Sequence, residues 1–284
     1  MSAKFGPAGS SERFSAEGFK TTLQMPGYLE AFGLDHFEYQ CGRGVNVSPE
    51  KAEQFRLKAI EHNITVSLHS PYYISLASLE EEKRLKSIDY ILQSARAVKM
   101  LGGDRIVVHS GTCAKISREE ALKKAYDTLV LAQKALDEEH LSDIRICPET
   151  MGKINQLGTL DEVMQLCKVD ERFIPCIDFG HLNARTLGGC NSYEDFSVVL
   201  DTVKNTLGEE RYKNFHSHFS KIEYSQGGEK KHLTFDDNIF GPNFEPLAKI
   251  IAERDLSPIF ISESAGTQDI DALEMKSIYL KYKG

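Results

Sequence analysis

The sequence predicts a closed α/β barrel of eight parallel strands, each followed by helix, in a single domain over residues 1–284. Three observations predict it. Short apolar runs alternate with longer segments of helical period eight times along the chain. Several runs are continuously apolar, such as Ile106-Val107-Val108 and Ile259-Phe260-Ile261, which suits parallel strands covered on both faces. Six of the runs end on or near His, Glu or Asp, and a barrel gathers its reactive groups at the C-terminal ends of its strands.

Taken in order, the strands are expected at Lys4–Gly6, Phe37–Gln40, Thr65–His69, Arg105–His109, Arg145–Glu149, Ile174–Asp178, Asn214–His218 and Ile259–Glu263. The segments between them carry helix start signals. Ser48 precedes Pro49, an N-cap followed by proline where the missing N–H costs nothing. Ser78 with Glu81, Ser117 with Glu120, and Thr159 with Glu162 have the spacing of a capping box. Leu85, Ile88, Leu92, Ala95 and Val98 fall on one helical face, and Gly102-Gly103 ends that helix. An open doubly wound sheet would usually announce a phosphate loop after its first strand. Phe5-Gly6-Pro7-Ala8-Gly9 does not match GxGxxG, and no linker or shift in composition divides the chain. The reading is therefore a (β/α)8 TIM barrel.

Composition narrows the function classes. Apolar residues make up 41% and charged residues 27%, an ordinary globular balance. A formal charge of −8 argues against indiscriminate binding of nucleic acid or acidic membrane by the whole surface. No apolar run approaches the roughly 20 residues that span a bilayer, and Met1 to Ser11 lacks a signal-peptide core, so a cytoplasmic location is expected. The six cysteines form no CxxC and are expected as reduced, buried thiols.

The strand ends carry the chemistry. His69, His109, Glu149, Asp178, His216 and Glu263 close six successive strands, and His181 and His232 lie in the loops after the sixth and seventh. One histidine at a strand end is more often a hydrogen-bonded structural residue than a ligand. Six strands ending alike would bury unpaired carboxylates unless a cation joined them. Imidazole and carboxylate without thiolate suit zinc, with manganese or iron next. The candidates exceed one tetrahedral site, so two or three ions are expected, with Glu149 the natural bridge. His36, His62 and His140 precede their strands and are expected as surface or turn residues at the opposite end. His218 faces the same way as His216 and is a candidate for a supporting contact.

The chain resembles the endonuclease IV family, metal-dependent apurinic/apyrimidinic endonucleases of the xylose-isomerase-like barrel superfamily. The resemblance covers nearly the whole chain and rests on these segments: Leu68-His69-Ser70-Pro71-Tyr72; Val108-His109-Ser110-Gly111; Pro148-Glu149-Thr150-Met151-Gly152; Cys176-Ile177-Asp178-Phe179-Gly180-His181; His216 with Lys221 five residues on; and Ile261-Ser262-Glu263. It implies a first zinc on His69, His109 and Glu149, and a second on Glu149, Asp178, His216 and Glu263. It implies a third on His181 and an Asp-x-His pair after the seventh strand. Here that pair reads Glu229-Lys230-Lys231-His232, which leaves Glu229, Asp236 or Asp237 to supply the carboxylate.

The implied activity is hydrolysis of the phosphodiester 5′ of abasic sites in DNA by a metal-activated hydroxide, with Glu149 also orienting the nucleophile. Arg43, Tyr72 and Tyr73 would then enter a minor groove and support an extruded nucleotide. Lys230 and Lys231, with Lys115, Lys153, Arg185 and Lys221, would give the same face a basic character. The competing reading of those residues is a solvated lysine rim round a tyrosine-lined small-molecule pocket. At the level of activity the alternative is a sugar isomerase or epimerase of the same superfamily, using one metal, with Glu149 and Glu263 moving protons. A metal-binding module without turnover is a third reading. A monomer is expected.

Overall fold

The computed structural model describes residues 2–113 and 115–284. Eight parallel strands form the barrel: β1 (Lys4–Pro7), β2 (His36–Gln40), β3 (Thr65–His69), β4 (Arg105–Val108), β5 (Arg145–Pro148), β6 (Cys176–Asp178), β7 (His216–Phe219) and β10 (Ile259–Ser262). The sheet pairs β1-β10-β7-β6 and β2-β3-β4-β5 as two halves. Bridges Ala8↔Glu38 and Glu149↔Cys176 join the halves at both seams. At the first seam the backbones run close, and a Cβ on Gly6 would lie 1.9 Å from the His36 carbonyl oxygen, so only glycine fits.

Around this wall lie α1 (Glu12–Ala16), α2 (Met25–Phe32), α3 (Pro49–Glu61), α4 (Glu81–Leu101), α5 (Arg118–Glu138), α6 (Leu160–Leu166), α7 (Phe179–Arg185), α8 (Tyr193–Leu207), α9 (Glu209–Lys213), α10 (Glu245–Glu253) and α11 (Gln268–Lys283). Sequence placed the eight barrel strands to within two residues at either end. It missed an antiparallel hairpin, β8 (Ile222–Ser225) and β9 (Gly228–His232), inserted after β7.

Local signals set most helix ends. Ser48 and Ser117 cap α3 and α5, and Thr159 and Glu162 complete a reciprocal capping box on α6. Gly102 closes α4 in the left-handed conformation at φ 84°. Two readings need correction. Ser78 does not cap α4. Its hydroxyl accepts from Glu80 N–H in a turn ahead of the helix, and Glu80 holds the cap position. The buried stripe of α4 runs through Ser87, Ile91, Ser94, Ala95, Val98 and Leu101, while Leu85 is exposed. The buried serines stay inside because their hydroxyls bond the carbonyls of Lys83 and Tyr90 one turn back.

Alternation along the strands sorts the two sides of the wall. Outward residues are apolar: Phe5 stacks on Phe260, and Phe215 and Phe244 meet Phe260 edge-on beneath the helices. Most of the polar strand residues point inward, with the apolar Val107 and Ile261 set among them. His36 was expected at the surface, but it is buried in the barrel, bonded to Thr65 and Ser67 hydroxyls at 2.8 and 2.9 Å. His62 bonds Glu30 outside the barrel, and His140 is exposed. All six cysteines are buried free thiols. No helix among the described residues is long and apolar enough to cross a membrane.

The outward aromatic layer therefore holds helices to barrel. Phe260→Ala should cost about 3–5 kcal/mol of unfolding free energy, read by urea titration with an unchanged m-value. A cost below 1 kcal/mol would show that this layer is not what joins the two shells.

Candidate metal centre

Glu149 sits one residue past β5, bridged to Cys176 of β6, so the seam between the half-sheets fixes it at the C-terminal mouth. It is fully buried and ringed by imidazoles. His109 Nε2 lies 2.9 Å and His69 Nε2 3.5 Å from its Oε2. His218 Nδ1 lies 3.1 Å and His181 Nδ1 3.3 Å from its Oε1. Asp178 accepts from the His181 N–H at 2.7 Å as N-cap of α7, which ties the loop histidine to the end of β6. Three sets of donor atoms, each within 4.8 Å of one another, face this mouth: His69, His109, Glu149; Glu149, Asp178, His218, Glu263; and His181, His232, Glu263.

The residues fit divalent ions on the chemistry of these donors. His69 Nδ1 lies 2.9 Å from the Ser70 carbonyl, and His181 Nδ1 2.9 Å from the Thr150 carbonyl. A carbonyl only accepts, so each Nδ1 carries the proton, and in the neutral ring Nε2 is a bare lone pair. For His69 that lone pair faces Glu149, and for His181 it faces Glu229 Oε2 at 3.4 Å. Acceptor facing acceptor in a buried site calls for positive charge between them: a metal ion, or in its absence a second ring proton, which, against the cost of burial, Glu149 favours on His69 and Asp178 on His181. Asp178 Oδ2 is moreover buried without a hydrogen-bond partner among the described residues.

Charge is crowded here. Burial alone would raise the pKa of Glu149, but His218 and His109 hold it well below the carboxylate range. Glu263 behaves alike, with burial opposed by His218, and is drawn down to about 2. Asp178 is the one that yields: burial, with Glu263 and Glu149 nearby, pushes it up to about 6.

The expected ligand His216 is replaced in the mouth cluster by His218. Both rings point inward, since they are two residues apart on one strand. The register pairs Asp178 with His218 and Cys176 with His216, so His216 lies one layer, roughly 6–7 Å, deeper along the strand. Its Nε2 meets Glu38 Oε2 at 2.8 Å instead. Glu38 was not anticipated. It is buried mid-strand, accepts from Ser67 at 2.9 Å and lies 3.0 Å from His218 Nε2, which turns His218 Nδ1 toward Glu149 and Glu263.

A β-bulge accounts for the altered spacing of the hairpin pair. The β8–β9 register shifts between Glu223 and Tyr224, which face Lys231 and Glu229, so Lys230 is the extra residue. Glu229 and His232, three apart, then present to one side as residues two apart normally do. Glu229 reaches His181 at 3.4 Å and His232 at 3.9 Å, and the His232 Nδ1 is held by Ser220 at 2.8 Å. Asp237 is spent on the N–H groups of Ile239 and Phe240, and Asp236 is exposed.

The mouth opens into a cavity of about 960 Å³, lined among others by Gln40, Arg43, Tyr72, Lys153, Glu229 and Gln268. Tyr72 leans on His69 and His109 with ring centroids 5.5 and 5.6 Å away. Tyr73 turns away to Tyr90. Lys230 and Lys231 both pair with Glu223, so they are not the free cations of this face. Arg185 clasps four backbone carbonyls between Met151 and Gln156, and Lys221 holds the Phe235 carbonyl. Lys115 is exposed. Arg43 and Lys153 have no ion-pair partner among the described residues, and sequence had not singled out Lys153 from the other loop cations.

Residues 27–278 match the xylose isomerase-like TIM barrel family, and the chain belongs to it. It is 34% identical over 238 residues to an uncharacterized protein of Methanocaldococcus jannaschii, covering 83% of this chain and 84% of that one. It is 27% identical over 223 residues to a probable endonuclease 4 of Shouchella clausii, covering 74% of each. Its fold is similar to that of a D-tagatose 3-epimerase-like protein, with a TM-score of 0.69 at 20% identity over 88% of this chain and 90% of the other.

Asp178 gives the centre a pH signature. Its folded pKa of about 6 stands above the ordinary 3.8, so between those values the ion-free folded protein holds a proton that the unfolded chain has released. Stability from this group falls as pH rises through that window. Asp178→Asn keeps an N-cap residue and removes the strained charge. Chelator-treated Asn variant should be more stable than wild type above pH 6 by roughly 1–3 kcal/mol, yet bind divalent ions more weakly. Urea titrations at pH 4 and pH 7.5 test this, and a variant less stable at the higher pH contradicts it.

Proposed function

We propose that this member of the xylose isomerase-like TIM barrel family is a metal-dependent phosphodiesterase of endonuclease IV type that cuts DNA on the 5′ side of abasic sites, as a cytoplasmic monomer. One observation carries the reading: three donor sets ring a single mouth, with Glu149 shared by two of them and Glu263 by two. An isomerase that polarises one carbonyl needs one set. In-line displacement at phosphorus draws on two or more, because attacking and leaving oxygens both need charge beside them. The likeness to a probable endonuclease 4 supports the same reading.

Divalent ions, zinc first with manganese or iron next, would be held by His69, His109, Glu149, Asp178, His181, His218, Glu229, His232 and Glu263, and would supply Lewis-acid charge and an acidified water. The chain's own groups do the rest. The carbonyls of Ser70 and Thr150 fix the tautomers of His69 and His181. Glu149 keeps its charge among the imidazoles, so a carboxylate always faces the reacting centre. Arg43 and Lys153, which have no ion-pair partner among the described residues, would pair with phosphates on either side of the lesion. Tyr72, half out of the surface beside His69 and His109, offers a flat face to the sugar or an unstacked base.

A cavity of about 960 Å³ at the mouth gives the epimerase reading its own support, because it would enclose a sugar. In that reading Glu149 and Glu263, at 3.1 and 3.5 Å from His218 Nδ1, move a proton beside a carbonyl.

The two readings separate in one assay: nicking of a duplex with a single abasic site, with and without chelator. Chelator-sensitive nicking is expected, and Glu149→Gln should slow it by at least roughly 100-fold. Arg43→Ala with Lys153→Ala should reduce the slope of log affinity against log salt by up to about 2. The Lys230, Lys231 double alanine variant should change it little, since Glu223 already holds both. Turnover of a ketose or aldose, with no nicking over a wide range of protein concentration, would falsify the nuclease reading.

A further inference from the structure

Beneath the mouth lies a donor set of different chemistry. Cys176, His216 and His218 offer ligand atoms within 4.8 Å of one another, and all three are fully buried. Glu38 reaches the two histidines from across the barrel, 2.8 Å from His216 Nε2 and 3.0 Å from His218 Nε2. We propose that Cys176, His216, His218 and Glu38 form a deep metal site inside the barrel, taking a thiophilic divalent cation of the zinc or cobalt kind and set apart from the mouth sets by its thiolate.

Four observations support it. His216 Nδ1 is buried with no hydrogen-bond partner among the described residues, which is costly in a closed space. One carboxylate and one thiolate balance a doubly charged ion while both imidazoles stay neutral. Metal–nitrogen and metal–oxygen bonds of about 2.0–2.1 Å place tetrahedral donors about 3.3 Å apart, so the carboxylate–imidazole contacts need open by only about half an ångström. The strands are already in register for it, with Cys176 opposite His216, and Ser67 holds Glu38 in place. On loading, the Cys176 S–H and the His218 Nε2 proton leave to solvent, the His216 ring proton moves from Nε2 to Nδ1, and the electron pairs stay on the donor atoms. His218 then gives Nε2 to the deep ion and keeps a proton on Nδ1, facing Glu149; with an ion also on Nδ1 at the mouth, that proton leaves too and the ring bridges as an imidazolate. The inference does not rest on the phosphodiesterase reading.

The mouth sets contain no thiol, so sulfur ligation reports the deep site alone. Burial keeps the Cys176 thiol protonated when no cation is present, so the ion-free protein gives no thiolate signal. The experiment loads the full-length protein with cobalt(II) and follows the near-ultraviolet sulfur-to-cobalt charge-transfer band, with ions counted per chain. The band is expected in wild type and lost in Cys176→Ser together with one ion. It should be kept in Cys147→Ser and in Cys41→Ser, the latter at a thiol that lines the mouth cavity. X-ray absorption of zinc-loaded wild type should show one sulfur at about 2.3 Å, which needs no variant to fold. An ion-loaded wild type with neither band nor sulfur scatterer overturns the proposal, and so does a band that survives Cys176→Ser. Abasic-site nicking is measured separately, so loss of that activity leaves this result standing.

Discussion

A buried carboxylate surrounded by imidazoles is the constraint on which the rest of this molecule depends. Glu149 is fully enclosed, and four histidine nitrogens approach it within 3.5 Å. Such a charge is tolerated only where its partners are held firmly, because several kcal/mol of desolvation must be offset by well-placed neighbours. The barrel supplies that firmness. His69, Asp178 and His218 stand within strands, His109 and Glu149 one residue past them, and Glu263 one residue past β10. Their spacing is thus set by backbone hydrogen bonds rather than by loops.

The same constraint explains why the barrel carries a polar layer within and an apolar, partly aromatic face without. A conventional barrel interior of branched aliphatic residues would leave the mouth ligands without support from below. Here Glu38, Ser67, His36 and His216 form a bonded layer beneath the cluster. Apolar burial is displaced to the outer face, where Phe5, Phe215, Phe244 and Phe260 interlock under the helices. Stability is gathered in one shell and chemistry in the other.

How far the sequence shows this follows from the same geometry. Strand ends are legible, because an apolar run closing on His or Glu breaks pattern once per strand, and six such breaks in order define a mouth. Depth within the barrel is not legible. His216 and His218 share a face by the period of two, and only the pairing of β6 with β7 tells which is level with Asp178. Glu38 was missed because it lies between Phe37 and Tyr39 inside a strand, where a lone carboxylate reads as a solvent-facing residue. The hairpin pair was obscured by one added residue, whose effect on facing is cancelled by a bulge that spacing alone does not reveal.

Charge links the metal centre to recognition. Without ions the mouth presents Glu149, Glu229 and Glu263, with Asp178 behind them, on a chain already at −8. Two lysines nearby are neutralised by Glu223, which leaves Arg43 and Lys153 as the Arg and Lys of the cavity without an ion-pair partner among the described residues. Under the proposed reading, divalent ions would add positive charge to the mouth, and field lines focused by a concave, low-dielectric wall would extend it to the approaching backbone. Under the phosphodiesterase reading, metal loading and phosphate binding are then one linked equilibrium. The ions that activate the chemistry also make the surface one that a phosphate can approach, and the acidic composition of the whole chain confines that approach to the mouth.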